Sequence, residues 1–261
     1  MPPVAHDVVR LSVVIPALNE ADRLPATLER VAGHLAADRR WAPAELIVVD
    51  DGSVDDTVRL AESQTLPGDL ELVVVSHPTN LGKGAAVRTG WARARGDRVL
   101  LTDADLSAPI GDIELLAGHV DSRTMAVGSR AVDRRLVSPR QPWYRDGMGR
   151  CFNLLVRGLG LTRVRDTQCG FKLLPGSLAR ALAARMRVDG FAFDVEALLL
   201  TRLWRFEVEE VAVHWGHVEA SRVLPGRHSL QMLRDVLWLW LRWRLGTLPG
   251  PPEEARGPRA L

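Results

Sequence analysis

Two carboxylates lie two residues apart, directly after a short apolar run, in the segment Asp-Arg-Val-Leu-Leu-Thr-Asp-Ala-Asp at 97–105. The run Val99–Leu101 has no polar alternation, so it predicts a buried strand that leads into Asp103 and Asp105. Carboxylates at the carboxyl end of such a strand lie where open α/β sheets bind their ligands. Their oxygens suit a hard divalent cation that is shared with substrate phosphates. The alternative is a polar strand end with two solvated aspartates.

Two earlier predicted strands also end in polar clusters. The strand at 11–15, which Pro16 is expected to stop, leads into Pro-Ala-Leu-Asn-Glu at 16–20, and the strand at 45–49 leads into Asp-Asp-Gly-Ser at 50–53. Carboxylates gathered at one sheet edge repel each other unless a cation, or the donors of a nucleobase and ribose, offset the repulsion. Taken singly, Glu20 and Asp51 also fit helix caps or first-turn residues.

Strand and helix patterns alternate through the first half of the chain, which predicts a largely parallel sheet with helices on both faces. The second half is less regular, with short strands at 124–127 and 207–213 and a basic loop at 134–145. Four further helical patterns occupy 149–159, 176–186, 194–204 and 229–245.

Composition bounds the class of protein. The 261 residues, 46% hydrophobic and 25% charged, suit one large α/β domain, and a net charge of +2 argues against a nucleic-acid partner. Two distant cysteines and an N-terminus without a signal-length apolar core predict a cytoplasmic chain. We predict a catalytic domain at 1–228, an amphipathic interfacial helix at 229–248 and a disordered tail at 249–261.

The helix at 229–245 combines tryptophans, leucines and arginines. Its 17 residues reach only about 26 Å at ~1.5 Å per residue, and its charges forbid spanning. This composition is typical of a helix in a bilayer interface, and 149–161 is a second candidate. The alternative is that both helices pack on the domain or in an oligomer contact. One side of the predicted helix carries Met232, Leu233, Val236, Leu239, Trp240 and Trp243.

Five motifs, in their order along the chain, resemble those of a known enzyme family. The segments at 16–20, 49–57, 80–84, 103–105 and 128–130 together resemble the family 2 glycosyltransferases with a GT-A fold, and most closely the dolichyl-phosphate (polyprenyl-phosphate) glucosyl- and mannosyltransferases. The segments at 165–172 and 193–196 look more like the glucosyl branch. The resemblance implies an α/β, Rossmann-like nucleotide-sugar-binding fold, with a mostly parallel central sheet and C-terminal amphipathic helices.

On the donor side, the resemblance implies a base and ribose pocket, a phosphate site and a metal site. Lys83 and Arg88 would face the donor phosphates or steady the acidic edge. The segment Asp103-Ala104-Asp105 would hold Mg²⁺ or Mn²⁺ on the donor diphosphate. Mannosyl enzymes commonly carry Gln at the place of Ser107, so the third metal ligand is open between a hydroxyl and water. The base and ribose pocket would comprise Pro16, Ala17, Glu20 and Asp51, with Asp50 in support.

On the acceptor side, the resemblance implies that Asp166 is the base or acceptor-positioning carboxylate. Its alternative is a loop aspartate that caps the turn before Gly170. Arg130 is a candidate to bind an acceptor phosphate bidentately. A phosphate monoester, with a second pKa near ~6, is largely dianionic at neutral pH and needs little help from a base, whereas a hydroxyl acceptor needs one.

These inferences predict an inverting, metal-dependent hexosyltransferase at the cytoplasmic face of a membrane. Its donor would be UDP-glucose first and GDP-mannose second, and its acceptor a polyprenyl phosphate. One alternative is a soluble family 2 transferase with a hydroxyl acceptor. The other is a non-catalytic nucleotide-sugar-binding partner, which the intact aspartate pair argues against.

Overall fold

The computed structural model describes residues 9–68, 70–138, 143–216 and 227–252. The strands in these ranges are β1 (Leu11–Ala17), β2 (Ala44–Asp50), β3 (Leu70–Ser76), β4 (Arg98–Leu101), β5 (Thr124–Ser129), β6 (Lys172–Pro175) and β7 (Glu207–Ala212). The helices are α1 (Leu24–Ala37), α2 (Thr57–Glu62), α3 (Lys83–Arg93), α4 (Ile113–Ala117), α5 (Trp143–Gly158), α6 (Gly176–Arg185), α7 (Phe193–Leu203) and α8 (Arg227–Arg244).

The described strands form one sheet in the order β3-β2-β1-β4-β6-β5-β7. The chain moves outward from β1 through β2 to β3 and then returns, so that β4 pairs in parallel with the other side of β1. This reversal creates a topological switch point between β1 and β4, the place where open α/β sheets bind ligands. The predicted largely parallel sheet is confirmed. Its exception is β6, which runs antiparallel to both β4 and β5.

The predicted end of the first strand at Pro16 is wrong, because β1 continues to Ala17. Pro16 and Ala17 stay paired with Val49 and Asp50 of β2. On the other side, the pairing with β4 covers only Leu11 to Val14. Beyond Val14, β1 therefore has one partner strand instead of two, and a proline is tolerated at such an edge position.

Apolar side chains fill both faces of the sheet. Along β1, Val14 packs on the side of α3 and α6, whereas Val13 and Ile15 pack on the side of α1 and α4. This alternation is the period of two that a strand covered on both faces requires. The last helix, α8, places Val236 and Leu239 in the first cluster, and both side chains are fully buried.

The helix boundaries differ from the expectations at two places. Helix α5 begins at Trp143, inside the stretch predicted as a loop at 134–145. The sequence at 19–37 predicts a helix that opens at residues 19–22, but α1 begins at Leu24, with a proline in its first turn. The preceding residues form a turn in which Asn19 has a positive φ of 54°. Among the described residues, none of the helices combines the length and the apolarity that crossing a bilayer requires.

Candidate active site

The three polar strand ends meet at one edge of the sheet, as the sequence indicates. The Asp51 amide donates to the carbonyl of Ala17 at 2.8 Å, which joins the end of β2 to the end of β1. The Thr102 amide donates to the carbonyl of Val14 at 3.1 Å, which places the residues after β4 beside β1. The acidic segments therefore surround the switch point between β1 and β4.

Asp50 links the loops that follow β1 and β2. Its Oδ2 accepts hydrogen bonds from the amides of Gly52 and Ser53, and Ser53 Oγ in turn accepts from the Asn19 amide at 2.7 Å. Asp50 Oδ1 is buried and accepts no hydrogen bond from the described residues. A buried acceptor without a donor is costly, so this oxygen suits a donor group from a ligand or water.

Glu20 lies at the start of the turn before α1. Its carboxylate is 2.7 Å from the Arg23 guanidinium, and its carbonyl accepts from the amides of Arg23 and Leu24. The Glu20 amide donates to Thr57 Oγ1 at 2.8 Å, which ties this turn to α2. Glu20 therefore lies before α1 and is neither its cap nor part of its first turn, because the cap position is Arg23 and the helix begins at Leu24.

Asp51 is buried and bonded within the protein. Oδ1 accepts from the Leu81 amide at 3.0 Å, and Oδ2 accepts from the Gly82 amide at 2.8 Å. His77 Nδ1 lies 2.8 Å from Oδ1, so it donates there, and His77 Nε2 lies 2.9 Å from Thr89 Oγ1. The carboxylate thus holds the loop that leads into α3. His77 is absent from the sequence-based site, because only the tertiary structure brings it to Asp51.

Lys83 is the first residue of α3 and points to the acidic edge. Its ammonium lies 2.6 Å from Asp103 Oδ1. Burial on its own would raise the pKa of Asp103, but Lys83 at close range, with Lys172 and Arg130 farther away, holds that pKa below its usual value. Asp103 is therefore a carboxylate at neutral pH. Lys83 therefore lies against the acidic edge, and its role toward the donor phosphates stays a prediction.

Arg88 occupies a different position. Its guanidinium pairs with Asp189 at 2.6 Å, and Nη1 is buried without a partner among the described residues. The same segment covers the start of α3, since the Asp189 carbonyl accepts from the Gly84 amide at 2.7 Å. The structure thus brings Lys83 to the aspartate pair and directs Arg88 to the loop that packs on α3.

The residues around Asp105 form a tight turn with Leu106 at a φ of 45°. Asp105 Oδ1 accepts from the Ser107 amide at 2.9 Å, and the Ala104 carbonyl accepts from Thr27 Oγ1 at 2.6 Å. Ser107 is buried, and its carbonyl accepts from the Gly216 amide at 2.7 Å. The main chain of this turn is therefore fixed from both sides.

The carboxylates at this turn suit a divalent cation. Within the described ranges, no group of three or more His, Cys, Asp or Glu side chains forms a closed metal cage. Two carboxylates are available, and Mg²⁺ commonly binds one or two carboxylates while phosphates and water complete its shell. Asp103 and Asp105 suit such an open site, in which substrate phosphates and water would supply further oxygens.

Gly170 lies directly against the side chain of Asp103. A Cβ atom at this position would lie 2.5 Å from Cγ of Asp103. We expect Gly170→Ala to displace Asp103 and to weaken Mn²⁺ binding by about 10-fold or more, which corresponds to ~1.4 kcal/mol. Titration calorimetry with Mn²⁺ measures this. Gly118→Ala is the matched control, because the nearest atom to its new Cβ is 3.8 Å away. Equal Mn²⁺ affinity in both variants would contradict the contact.

Asp166 and Arg130 form a bidentate ion pair. Arg130 Nε donates to Oδ2 and Nη2 donates to Oδ1, each at 2.7 Å, and the Arg130 amide also donates to Oδ2 at 2.9 Å. The guanidinium lies over the ring of Trp215, 4.7 Å from its centroid. Burial would raise the pKa of Asp166, but Arg130 holds it below its usual value. Sequence placed both residues on the acceptor side, and the structure shows them bound to each other.

A second ion pair behind the site was not found from the sequence. Lys172 is fully buried, and its ammonium donates to Asp194 Oδ1 at 2.6 Å and to the carbonyl of Cys169. Burial raises the pKa of Asp194, which the Lys172 ammonium opposes. One signal was present: Lys83 and Lys172 are the only lysines in the chain. Burial also raises the pKa of the Cys169 thiol to about 12, so this residue is not a thiolate nucleophile.

A parallel α/β sheet with paired aspartates after its switch-point strand defines the GT-A class of glycosyltransferases. The chain superposes with a TM-score of 0.62 on glucosyl-3-phosphoglycerate synthase from Mycobacterium tuberculosis in complex with Mn²⁺, UDP and glucosyl-3-phosphoglycerate. The two share 25% identity, over 92% of this chain and 81% of that one. For mannosyl-3-phosphoglycerate synthase from Rubrobacter xylanophilus the TM-score is 0.60 at 18% identity, over 97% and 79% of the chains. The predicted GT-A fold is confirmed.

Sequence comparison identifies the family. The model of Glycosyl transferase family 2 matches residues 12–180. Dolichyl-phosphate beta-glucosyltransferase of Homo sapiens is 34% identical over 248 residues, which are 91% of this chain and 76% of that protein. The enzyme of the same name from Saccharomyces cerevisiae is 31% identical over 258 residues, with 90% and 75% covered. The chain belongs to glycosyltransferase family 2, and the resemblance to the glucosyl branch is confirmed.

Proposed function

We propose that the protein transfers glucose from UDP-glucose to a polyprenyl phosphate, such as dolichyl phosphate, with inversion at the anomeric carbon. One observation carries this proposal. The carboxylates of Asp103 and Asp105 lie at the switch point of a chain that is 34% identical, over 91% of its own length, to a human dolichyl-phosphate beta-glucosyltransferase. GDP-mannose is the second donor to test.

On the donor side, Pro16, Ala17 and the carboxylates of Glu20 and Asp50 would line the base and ribose pocket. Ionised carboxylates accept from base N–H and ribose O–H groups. Asp51 would act indirectly. It would hold the loop before α3 in place, because its carboxylate oxygens accept hydrogen bonds from amides of that loop. Arg88 would support the same region through Asp189.

On the diphosphate, Lys83 would place positive charge beside the leaving group. Asp103 and Asp105 would hold Mg²⁺ or Mn²⁺, which when bound neutralises charge on the departing nucleoside diphosphate. The ligand role of Ser107 would need its side chain, since its recorded contacts run through the main chain. We therefore assign water or diphosphate oxygens to the remaining positions.

A phosphate acceptor agrees with the electrostatics of Asp166. With its pKa held below the usual value, this carboxylate is a weak base at neutral pH. A dianionic phosphate oxygen has no proton to lose when it bonds to the anomeric carbon and the bond to the diphosphate breaks. Asp166 would therefore orient Arg130, whose charge would attract the acceptor phosphate.

The lipid part of the acceptor requires an apolar surface, and α8 presents one. The side with Val236 and Leu239 packs on the core. The rest of the helix and the residue after it expose Leu230, Leu233, Leu237, Trp238, Leu241 and Leu245, and of these only Leu233 belongs to the apolar side named from the sequence. Because Arg234 and Arg244 lie among these residues, this surface suits an anionic bilayer interface. We name these six exposed apolar residues the α8 outer face.

Peripheral binding at the cytoplasmic side of a membrane completes the proposal. Both Cys151 and Cys169 are free thiols, which fits a reducing compartment. On α5, Met148, Leu154 and Leu155 are also exposed, which supports a second contact with the interface. The helix α8 would lie flat, with its buried side on the domain.

The proposal is tested by incubation with radiolabelled UDP-glucose, Mg²⁺ and dolichyl phosphate, followed by extraction of lipid. We expect label in the lipid phase that disappears with EDTA. A parallel reaction with GDP-mannose decides the donor. No lipid label from either donor would contradict the proposal, and label on an added hydroxyl compound would favour the alternative acceptor.

Membrane binding is tested on the α8 outer face. We expect Leu237→Glu with Leu241→Glu to reduce sedimentation with vesicles of phosphatidylcholine and phosphatidylglycerol by about 10-fold, because each change removes buried apolar area and adds a negative charge. The matched control is Leu115→Glu on α4, since Leu115 is 42% exposed and Leu237 is 46% exposed. Equal sedimentation of both proteins would exclude the α8 outer face as the contact.

A further inference from the structure

Glu210 of β7 is absent from every role assigned above, yet one carboxylate there accepts three hydrogen bonds. Oε2 accepts from the Arg165 amide at 2.8 Å, and Oε1 accepts from the Asp166 amide at 2.9 Å. Oε1 also accepts from Ser129 Oγ at 2.9 Å. An ionised carboxylate offers only acceptors, so all three contacts suit its charge.

These contacts reach both partners of the Asp166–Arg130 ion pair. On one side, Glu210 binds the main chain at Asp166 itself. On the other side, Ser129 Oγ accepts from the Ala131 amide at 3.2 Å, and Ser129 and Ala131 flank Arg130. A single side chain therefore fixes the segment that carries the carboxylate and the segment that carries the guanidinium.

The strand geometry explains why Glu210 reaches this position. In the parallel pairing of β5 with β7, Glu210 lies opposite Val127 and Ala212 lies opposite Ser129. Ser129 is thus the diagonal neighbour of Glu210, within reach of a long side chain. Glu209 points to the other face, where it pairs with His119 at 2.6 Å on the surface.

We propose that Glu210 is a positioning residue, which aligns Asp166 and Arg130 for the acceptor from behind. It touches neither donor nor acceptor and acts through the two segments that it binds. The inference rests on the proposed function for the identity of the acceptor, but the positioning itself concerns contacts within the protein.

The kinetic test is Glu210→Gln. Its amide nitrogen is a donor and faces either the Arg165 amide or the pair at Oε1, so at least one of the three hydrogen bonds to this side chain is lost. We expect kcat/KM for the acceptor to fall about 10- to 100-fold, as the loss of one or two hydrogen bonds to a charged group implies. The KM for the donor changes less than about 2-fold, because the donor side keeps its contacts. Glu210→Asp, which keeps the charge, recovers part of the rate.

Two controls separate positioning from general destabilisation. Glu209→Gln, on the same strand, is expected to match wild type. In a double-mutant cycle, Glu210→Gln combined with Asp166→Asn is expected to be no slower than Asp166→Asn alone. Full additivity, or a wild-type rate for Glu210→Gln, would overturn the inference.

Hydrogen exchange tests the positioning role of Glu210 without the acceptor substrate. The amides of Arg165 and Asp166 are expected to exchange faster in Glu210→Gln than in Glu209→Gln, because the Gln side chain accepts hydrogen bonds from them less well than the Glu210 carboxylate does. Unchanged exchange at these amides would overturn the positioning role. An inactive wild-type enzyme would instead overturn the proposed function, so the two failures are distinguishable.

Discussion

Asp105→Asn is expected to lower kcat/KM for sugar transfer by about 10³-fold and to leave the fold intact. The amide oxygen of Asn accepts from the Ser107 amide as Asp105 does now at 2.9 Å, so the turn keeps its hydrogen bond. The substitution removes one negative charge from the pair that would hold the cation. We expect weaker Mg²⁺ and Mn²⁺ dependence, measured by metal titration of the transfer rate and by calorimetry.

The control for this substitution lies at the other end of the same strand. Asp97 is exposed just before β4, on the edge away from the switch point, so Asp97→Asn has the same chemistry without the site. It is expected to retain the wild-type rate. A normal rate and normal metal dependence in Asp105→Asn would remove the metal site from the proposal.

Asp166→Asn is expected to lower kcat/KM for the acceptor by about 100-fold and the free energy of unfolding by ~2 kcal/mol. A fully buried ion pair that loses one partner costs about 3–5 kcal/mol, and Arg130, whose side chain is 26% exposed, reduces that cost. Steady-state kinetics with varied acceptor and denaturant unfolding measure the two effects. Arg130→Lys is expected to be slow as well, because an ammonium cannot bind both oxygens as a guanidinium fork does.

The pH dependence follows from the lowered pKa of Asp166. A carboxyl with a depressed folded-state pKa adds stability above its unfolded pKa of about 3.9, and that stability is lost as the pH falls through the folded pKa. Below about pH 4, the wild type is thus expected to lose stability more steeply than Asp166→Asn. In the transfer rate, the acid limb should follow the acceptor phosphate near pH ~6 in both proteins.

An exposed pair supplies the matched control. Arg135 binds Asp133 through Nε and Nη2 in the same bidentate manner, but Arg135 is 89% exposed. Asp133→Asn is expected to leave both the transfer rate and the free energy of unfolding unchanged. If Asp166→Asn behaves like this surface variant, the acceptor-side role of the buried pair is wrong.

The position of the residues proposed for the donor side was predictable because they follow regular strands. Asp50, Asp103 and Asp105 come directly after apolar runs, and parallel strands bring their carboxyl ends to one edge. The hydrogen bonds by which Asp51 holds the loop before α3 were not predictable, since they come from the Leu81 and Gly82 amides about 30 residues away. The same holds for Arg88, whose partner Asp189 is distant in sequence.

The second half of the fold was harder to predict, for physical reasons. Strand β6 has only four residues, too few for a periodic signal, and its direction depends on its neighbours. Helix α8 is apolar on more than one side, so its pattern predicted a helix but not which side packs on the core. Val236 and Leu239, on the apolar side named from the sequence, are buried in the domain.

The direction of β6 explains how residues from the second half of the chain reach the same sheet edge as those from the first half. Because β6 is antiparallel to β4, its amino end lies at the same edge as the carboxyl end of β4, and the residues before it arrive there. The residues proposed to bind the donor lie between Pro16 and Ser107, whereas Arg130 and Asp166, proposed for the acceptor, come later. Under these proposed roles, acceptor preference can evolve by exchange of the segment 159–168, while Gly170, which lies against Asp103, and the first half of the chain keep their sequence.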